Sequence, residues 1–248
     1  MCTLIALHRC IADAPLVVAA NRDEFHERPT EGPALREASI SVVAPRDLRA
    51  GGTWLGINAS GLFAAVTNRR CETPDPGRRS RGWLVMEALA ETTAERAAER
   101  FRNLPEAAYN PFNLFIADGE SAHLVTYADR PECIDLAAGP HVISNVHPDE
   151  SSPKLERLRA EVASVLSGEG GSLDALADVC RTHVASGPFD STCVHAGAYG
   201  TRSSTLLRIG TDSMLRYADG PPCEAPYRDL TPLLHDLGLV PSREGVQA

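Results

Sequence analysis

The sequence predicts an α+β fold, in which paired strands and paired helices come in separate blocks along the chain. Two observations carry this prediction. Short apolar and β-branched runs lie in pairs around turn residues, as expected for antiparallel hairpins. Two stretches with helical spacing follow the first group of strands, and two more follow the second group. This order differs from the regular strand-helix alternation that would indicate a parallel sheet.

The first half of the chain begins with a strand that has apolar residues on both faces. Residues 2–7 form a nearly continuous apolar run, which is typical of a strand buried on both sides. A second apolar run covers residues 16–20 and leads into four polar residues, so that a polar cluster is expected at the end of that strand. Residues 29–50 contain several Pro and Gly and are predicted to form a long loop. Residues 53–57 and 62–67 flank an Asn-Ala-Ser-Gly turn and predict a hairpin.

Later elements are predicted from the same two periodicities. The predicted helices cover residues 82–89, 92–104, 153–166, 173–184 and 230–239. The predicted strands cover residues 113–116, 123–127, 141–144, 201–209 and 213–217. A polar tail follows the last helix, and no convincing linker interrupts the chain. We therefore predict a single domain over residues 1–248.

Composition and charge restrict the class of function. The 248 residues carry a formal net charge of −9, which disfavours nucleic acid and anionic membranes as partners, so we expect neither. No apolar run reaches the length of a membrane span, and the N-terminus lacks a signal-peptide pattern, so a cytoplasmic location is expected. The seven cysteines are odd in number and scattered, which indicates reduced thiols in place of a disulfide framework.

Cys2 is the candidate reactive residue of this sequence. Removal of Met1 would give Cys2 both a thiol and a free α-amine. Their ordinary pKa values are about 8.5 and about 7.7–8.0, so the amine can act as the base for its own thiol near neutral pH. Such a nucleophile suits acyl transfer from an amide or ester. The alternative is that Cys2 is an inert buried thiol without a chemical role.

The remaining groups that acyl transfer requires also have candidates. Asn68, at the end of a predicted strand, is a candidate donor to the oxyanion. Arg22 or Arg202 could supply a cation that lowers the pKa of the thiol. Asp23 or Glu24 could orient the α-ammonium group. The alternative interpretation of residues 22–24 is a structural salt-bridge cluster that ties the second strand to the following loop.

Metal and cofactor binding are not expected. Cys180 and His183 are three residues apart, and Cys193 and His195 two apart, which superficially suggests zinc. The second spacing is atypical of a structural zinc motif, so a helix followed by a surface loop is the preferred interpretation. We predict no metal and no cofactor.

Several short motifs, in order along most of the chain, resemble the NRDE family, which is also called the transport and Golgi organisation protein 2 family. The first two, Asn21-Arg22-Asp23-Glu24 and Gly51-Gly-Thr-Trp-Leu-Gly56, are the most specific. The others are Ala64-Ala-Val-Thr-Asn68, Ser80-Arg81-Gly82, Tyr109-Asn110, Phe112-Asn113-Leu114, Ser144-Asn145 and Tyr199-Gly-Thr-Arg-Ser-Ser-Thr205.

This family is similar to the penicillin V acylase and bile salt hydrolase group, whose pattern begins Met-Cys-Thr, as here. The resemblance implies the four-layer αββα sandwich of N-terminal-nucleophile hydrolases. It also implies that Cys2 is the nucleophile, that Asn68 and Asn145 are site asparagines, and that Arg202 is a site arginine.

The resemblance leaves the alignment of the Asn-Arg-Asp-Glu motif open. In the hydrolase group an arginine precedes an aspartate by three positions. Strict register would align Asn21 with that arginine and Glu24 with the aspartate. A shift by one residue aligns Arg22 with the arginine but leaves the position of the acid unassigned.

Two functions follow as expectations. The first is an N-terminal-nucleophile amidohydrolase that cleaves a small acyl amide or related substrate. The second, suggested by the family's link to haem and acyl-lipid handling, is a non-enzymatic protein that binds haem or acyl-CoA in the same pocket.

Overall fold

The computed structural model describes residues 2–240, so that Met1, whose removal is predicted, and the polar tail 241–248 lie outside the described residues. Nineteen helices and strands are found in this range. The strands are β1 (Thr3–Ile11), β2 (Ala14–Phe25), β3 (Thr30–Arg36), β4 (Val42–Asp47), β5 (Leu55–Asn58), β6 (Phe63–Asn68), β7 (Phe112–Ala117), β8 (Ala122–Tyr127), β9 (Pro131–Leu136), β10 (Gly139–Ile143), β11 (His195–Ala196), β12 (Tyr199–Ile209), β13 (Met214–Ala218) and β14 (Arg228–Asp229). The helices are α1 (Gly82–Ala88), α2 (Ala94–Phe101), α3 (Pro153–Glu169), α4 (Leu173–Arg181) and α5 (Thr231–Asp236).

These strands form two antiparallel sheets of seven strands each. The first sheet has the order β10-β1-β2-β12-β13-β14, with β11 paired to β12. The second sheet contains β3 to β9 in sequence order, as a meander. In the first sheet, β12 lies beside β2 although about 180 residues separate them in the chain, as in the pair Ser204 and Asn21. Residues from the two ends of the chain therefore meet at the centre of the first sheet.

Alternate residues of β1 enter two different cores, which explains the continuous apolar run at the N-terminus. Leu4 and Ala6 belong to the core between the two sheets. Ile5 and Leu7 face the opposite way and pack with residues of α3 and α4. Side chains on a strand alternate between faces, so a strand covered on both sides needs apolar residues at every position.

The helices form the two outer layers. Residues of α1 and α2 share a core with the second sheet, and residues of α3 and α4 share one with the first. Thr93, Ser152 and Ser172 cap α2, α3 and α4 through their side-chain oxygens. The layer order is helix, sheet, sheet, helix, which confirms the predicted α+β class and αββα sandwich. Among residues 2–240, no helix is both long and apolar enough to cross a membrane.

The structure corrects several predicted elements. Most hairpins and helices lie where expected, with α4 and α5 shorter than predicted. The long loop predicted over residues 29–50 is wrong, because β3 and β4 occupy much of it. Strand β9 was also missed. Both β3 and β9 are edge strands of the second sheet, with a β-bulge in β3 and proline as the first residue of β9. Edge strands tolerate proline and polar residues, which hide the usual strand pattern.

Glycines let the loop after β4 lie directly on the start of α1. A Cβ atom built at Gly52 would lie 2.5 Å from the backbone carbon of Gly82, closer than two such atoms can approach. Gly51 has φ +81°, a backbone conformation that residues with side chains rarely adopt. Trp54 lies two residues after Gly52. The close approach of this loop to α1 places Trp54 beside the end of β2.

Candidate functional site

Cys2 lies immediately before β1, at the floor of a polar cleft between the two sheets. Thr3 pairs with Asn21 of β2, and the Cys2 Sγ atom lies 4.0 Å from the carbonyl oxygen of Asp23. The half-buried Cys2 lines a cleft of about 410 Å³ and an adjoining cleft of about 210 Å³. Asn68 and Arg81 line both clefts as well. Cys2 therefore lies where the two clefts adjoin.

The polar residues after Ala20 continue β2 and are buried, which corrects the expectation that they follow the strand's end. Asn21, Arg22 and Asp23 are only 2%, 6% and 5% exposed. In the pairing with β12, Asp23 lies opposite Thr201 and Arg22 opposite Ser203, with a bulge between the two pairs. Buried charges require partners, and the neighbouring strands supply them.

Asn21 makes structural hydrogen bonds. Its Nδ2 atom donates to the carbonyl oxygens of Cys180 and Thr192, both at 2.9 Å. These bonds join β2 to α4 and to the loop before β11. Asn21 does not line either of the two clefts described above.

Arg22 presents a partly unpaired guanidinium to the larger cleft. Its Cζ atom lies 4.1 Å from the centroid of the Trp54 ring, in a cation–π arrangement. Its Nη2 atom is 3.9 Å from a Glu24 carboxylate oxygen. The buried Nη1 atom has no hydrogen-bond partner among the described residues. Burial lowers the pKa of Arg22, and a Cys2 thiolate and the Glu24 carboxylate oppose this shift.

Asp23 and Glu24 have different partners, which separates their roles. Asp23 Oδ1 accepts a 2.7 Å hydrogen bond from the Thr201 hydroxyl. Burial raises the pKa of Asp23 to about 6, although the Thr201 hydrogen bond and nearby Lys154 act in the opposite direction. Glu24 accepts from the N–H of Phe25 and lies 3.4 Å from a guanidinium nitrogen of Arg28. Asp23 is therefore the carboxyl beside Cys2, whereas Glu24 pairs with arginines.

Asn68 and Asn145 lie together at the rim of the smaller cleft. Asn145 Nδ2 donates to the backbone oxygen of Asn68, and its buried Oδ1 has no hydrogen-bond partner among the described residues. Asn113 holds the adjoining segment by donating to the carbonyls of Ser144 and Val146, at 3.0 and 2.8 Å. The exposed side chain of Asn68 lines both clefts with Cys2. Both predicted asparagines are thus close to the thiol.

Arg202, unlike Arg22, does not border the larger cleft at Cys2. It occupies the β-bulge of β12 and donates to Asp219 at 2.9 Å. It lines none of the three cavities that Cys2 borders among the described residues. Its predicted role in the site stays a prediction.

Several residues near Cys2 carried no predicted role. Arg81 lines both clefts and donates to the Pro111 carbonyl at 3.1 Å. Lys154, at the start of α3, is 7% exposed, and burial lowers its pKa while Asp23 and Cys2 raise it. Tyr199 lines the smaller cleft and donates to the Asp23 carbonyl at 3.1 Å. Arg81 and Tyr199 belong to motifs noted above, whereas Lys154 has no sequence signal beyond a helix start.

The surroundings of Cys2 keep its thiol largely protonated until a base acts on it. Burial raises the pKa of the thiol, the Asp23 carboxylate raises it further, and Arg22 lowers it. A thiol with a raised pKa is a poor nucleophile at neutral pH unless a base removes its proton. Any reaction at this thiol would therefore require a base.

Asp23→Asn is expected to stabilise the protein at neutral pH. The native carboxyl keeps its proton up to about pH 6, whereas the unfolded one loses it near 3.8. The native state therefore binds more protons in this window, and wild-type stability falls as pH rises from about 4 to 6, by up to about 3 kcal/mol. An asparagine at this position cannot ionise, but its side-chain oxygen can still accept the hydrogen bond from the Thr201 hydroxyl. The free energy of unfolding of Asp23→Asn and of wild type can be measured with urea. The difference between the two values should widen between pH 4.5 and 7.5.

Asp129→Asn is the matched control for this measurement, because Asp129 is an exposed carboxyl. Its difference from wild type should stay constant with pH. An Asp23→Asn difference that is equally constant would contradict the buried, proton-retaining carboxyl.

The αββα sandwich and a cysteine at the start of its first strand define the class: this is an N-terminal-nucleophile hydrolase fold. The chain is similar to a mutant (C2A) conjugated bile acid hydrolase from Clostridium perfringens, at 11% identity and TM-score 0.58, covering 94% of this chain and 93% of that one. It is also similar to penicillin V acylase from Agrobacterium tumefaciens, at 15% identity and TM-score 0.52, covering 92% and 86%. These likenesses show the fold.

Sequence comparison gives the family. Residues 1–220 match the family model described as Transport and Golgi organisation 2. The mouse Transport and Golgi organization 2 homolog is 27% identical over 236 residues, covering 82% of this chain and 85% of the relative. The chain belongs to the Transport and Golgi organisation 2 family.

Proposed function

We propose that this protein is a cysteine amidohydrolase that cleaves a small acyl amide, with Cys2 as its N-terminal nucleophile. The observation that carries the proposal is the position of the Cys2 thiol, which opens onto a polar cleft beside Arg22, Asp23 and Asn68. The structurally similar bile acid hydrolase was solved as a C2A mutant and so has a cysteine at its own second position. The names of these two proteins, a conjugated bile acid hydrolase and an acylase, indicate hydrolysis and acyl-group chemistry, which favours this reaction class.

The reaction begins with proton transfer from the Cys2 thiol to the α-amine of the same residue, once Met1 has been removed. The thiolate then attacks the amide carbonyl, a C–S bond forms, and the C–N bond breaks as the leaving amine takes the proton back. Water hydrolyses the resulting thioester and releases the acid. The Asp23 carboxylate, beside Cys2, would orient the ammonium group formed in the first step.

Asn68 is suited to the negative charge that develops on the carbonyl oxygen, whereas the unpartnered Oδ1 atom of Asn145 is an acceptor and suits the amine side of the site. Side-chain amides donate hydrogen bonds to an oxyanion without needing a proton of their own. Asn68 borders both clefts at Cys2, and Asn145 touches its backbone. Asn113 would act as a positioning residue, because it fixes the segment on either side of Asn145.

The larger cleft favours a substrate that carries a negative charge. Six arginines line it against four carboxylates, so that the cleft has a local positive excess in a chain of net charge −9. The arginines are Arg22, Arg28, Arg49, Arg78, Arg79 and Arg81. Guanidinium groups bind carboxylates and phosphates well, often through two parallel hydrogen bonds.

The experiment uses matched pairs of acyl amides, one member carrying a carboxylate or phosphate and the other a neutral isostere. Processed protein should hydrolyse the charged members with kcat/KM at least about tenfold higher, which is roughly 1.4 kcal/mol of transition-state stabilisation. Quenched reactions should contain an acyl adduct that peptide mapping places on Cys2. Absence of both hydrolysis and adduct across the panel would reject the proposal.

The same arginines favour the second candidate, a non-enzymatic binder of haem or acyl-CoA. Haem carries carboxylates and acyl-CoA carries phosphates, and either would suit the positive cleft. No histidine lines this cleft among the described residues, so an axial imidazole ligand for haem is not offered there. Binding that survives Cys2→Ala, together with no turnover across the amide panel, would favour this alternative.

A further inference from the structure

Four side chains with nitrogen or sulfur donors converge where the end of α4, strand β11 and the loop before β14 meet. They are His183, Cys193, His195 and Cys223, and one donor atom from each lies within 4.8 Å of all the others. Cys193 is buried, and the other three side chains are exposed. The proposed hydrolase reaction uses none of them.

We propose that these four residues bind one structural Zn²⁺ ion. Zinc binds sulfur at about 2.3 Å and imidazole nitrogen at about 2.0–2.1 Å in a tetrahedron, which places two sulfurs about 3.8 Å apart and sulfur and nitrogen about 3.6 Å apart. The two sulfurs are 3.5 Å apart, and His195 Nε2 is 3.7 Å from the Cys193 sulfur and 3.2 Å from the Cys223 sulfur. Three of the four donors are therefore already spaced nearly as the corners of such a tetrahedron, and the donor atom of His183 lies within 4.8 Å of each of them.

The ligand set differs from the pairs that the sequence suggests. Cys180 is buried, and its thiol lies against the hydroxyls of Ser204 and Tyr227. Helix α4 ends at Arg181, so His183 does not continue the helical face of Cys180. Cys223, which lies 30 residues beyond Cys193, takes the place of Cys180. Two thiolates and two neutral imidazoles would balance the charge of Zn²⁺.

Backbone hydrogen bonds hold the ligand segments together before any metal binds. The Thr182 carbonyl accepts from the N–H groups of Thr192 and Cys193, at 3.0 and 3.1 Å. The Arg181 guanidinium donates to the Pro222 carbonyl at 3.1 Å, which joins α4 to the loop that carries Cys223. Four protein ligands leave no open coordination position, so the ion would have a structural role.

The zinc site would also support the residue that orients Asp23. The N–H of Val194, between two of the ligands, donates to the Thr201 hydroxyl at 2.8 Å. That hydroxyl in turn donates to Asp23 Oδ1 at 2.7 Å. The metal would thus fix a segment that is two hydrogen bonds away from the carboxyl beside Cys2.

A disulfide between Cys193 and Cys223 is the competing use of the same sulfurs. A disulfide needs a bond of about 2.05 Å, well below the 3.5 Å separation observed. It would also leave the two histidines without a role. The experiment below separates the two outcomes by mass.

The test is metal analysis of full-length protein purified without chelators or a histidine tag. We expect about one zinc per chain by elemental mass spectrometry, and replacement by Co²⁺ should give the visible d–d bands of tetrahedral thiolate coordination. Cys223→Ser and His195→Ala, both at exposed positions, should lower zinc content roughly fivefold or more, with circular dichroism showing that each variant is folded. Cys10→Ser, an exposed thiol outside the cluster, should keep its zinc.

Three results would overturn the proposal. One is folded protein that holds no zinc even after incubation with zinc salt. Another is an intact mass two hydrogens lower, with Cys193 and Cys223 joined in the peptide map. The third is a Cys223→Ser variant that keeps zinc as well as Cys10→Ser does. None of these measurements requires hydrolase activity. They therefore test the zinc site independently of the proposed reaction.

Discussion

Cys2→Ala is expected to lower kcat/KM for the best amide substrate by at least about a thousandfold, to near the uncatalysed rate. Alanine removes the atom that forms the thioester, and no other group can replace it in a covalent mechanism. Stability should change little, because the half-buried thiol has no hydrogen bond among the described residues stronger than a 4.0 Å contact with the Asp23 carbonyl. The measurement is steady-state kinetics on processed protein, with thermal unfolding alongside.

Cys71→Ala is the matched control for this variant. Cys71 is also a half-buried thiol and lines the smaller cleft together with Cys2. Its loss should leave kcat/KM within about threefold of wild type, as expected for a residue outside the covalent step. Equal losses in both variants would point to a change in cleft shape. Undiminished turnover by Cys2→Ala would remove the nucleophile from the proposal.

The second large effect is expected from a residue added in front of Cys2. Two preparations can be released from the same fusion, one beginning at Cys2 and the other with a glycine before it. The added glycine converts the α-amine of Cys2 into an amide, which cannot accept the thiol proton. We expect kcat/KM to fall by about 10²–10⁴, the usual contribution of a positioned base. Intact mass verifies each N-terminus.

Alkylation rates of the two preparations provide the control for this comparison. The thiol itself remains in both chains, so a small alkylating agent should still modify Cys2 of the extended chain. Its rate should be slower at neutral pH and should recover as pH rises above the ordinary thiol pKa of about 8.5. Equal activity of the two chains would show that another group is the base, and Lys154, buried near Asp23, would be the first to test.

Local sequence patterns were sufficient for most of the layers. The hairpin of β5 and β6 was predicted by its turn residues, and α2, α3 and α4 by helical spacing and serine or threonine caps. Edge strands β3 and β9 escaped prediction. An edge strand packs on fewer neighbours, so its sequence need not show the regular alternation on which such predictions depend.

The site shows the same division between local and long-range information. The sequence alone indicated Cys2, Asn68 and Asn145 and left the acid undecided between Asp23 and Glu24. Only the pairing of β2 with β12 brings the Thr201 hydroxyl to Asp23, and only the chain's path places Arg28 beside Glu24. Such contacts join residues far apart in sequence, and no local pattern records them.

The sequence by itself therefore indicated the αββα layers and the family and supplied Cys2 as the candidate nucleophile, because these depend on short motifs and on local periodicity. The tertiary structure decided which carboxyl accompanies Cys2 and that arginines dominate the larger cleft. It also brought Cys223 into the cluster formed by His183, Cys193 and His195. The physical reason is that burial, charge pairing and ligand spacing are set by distances in space, which the order of residues does not specify.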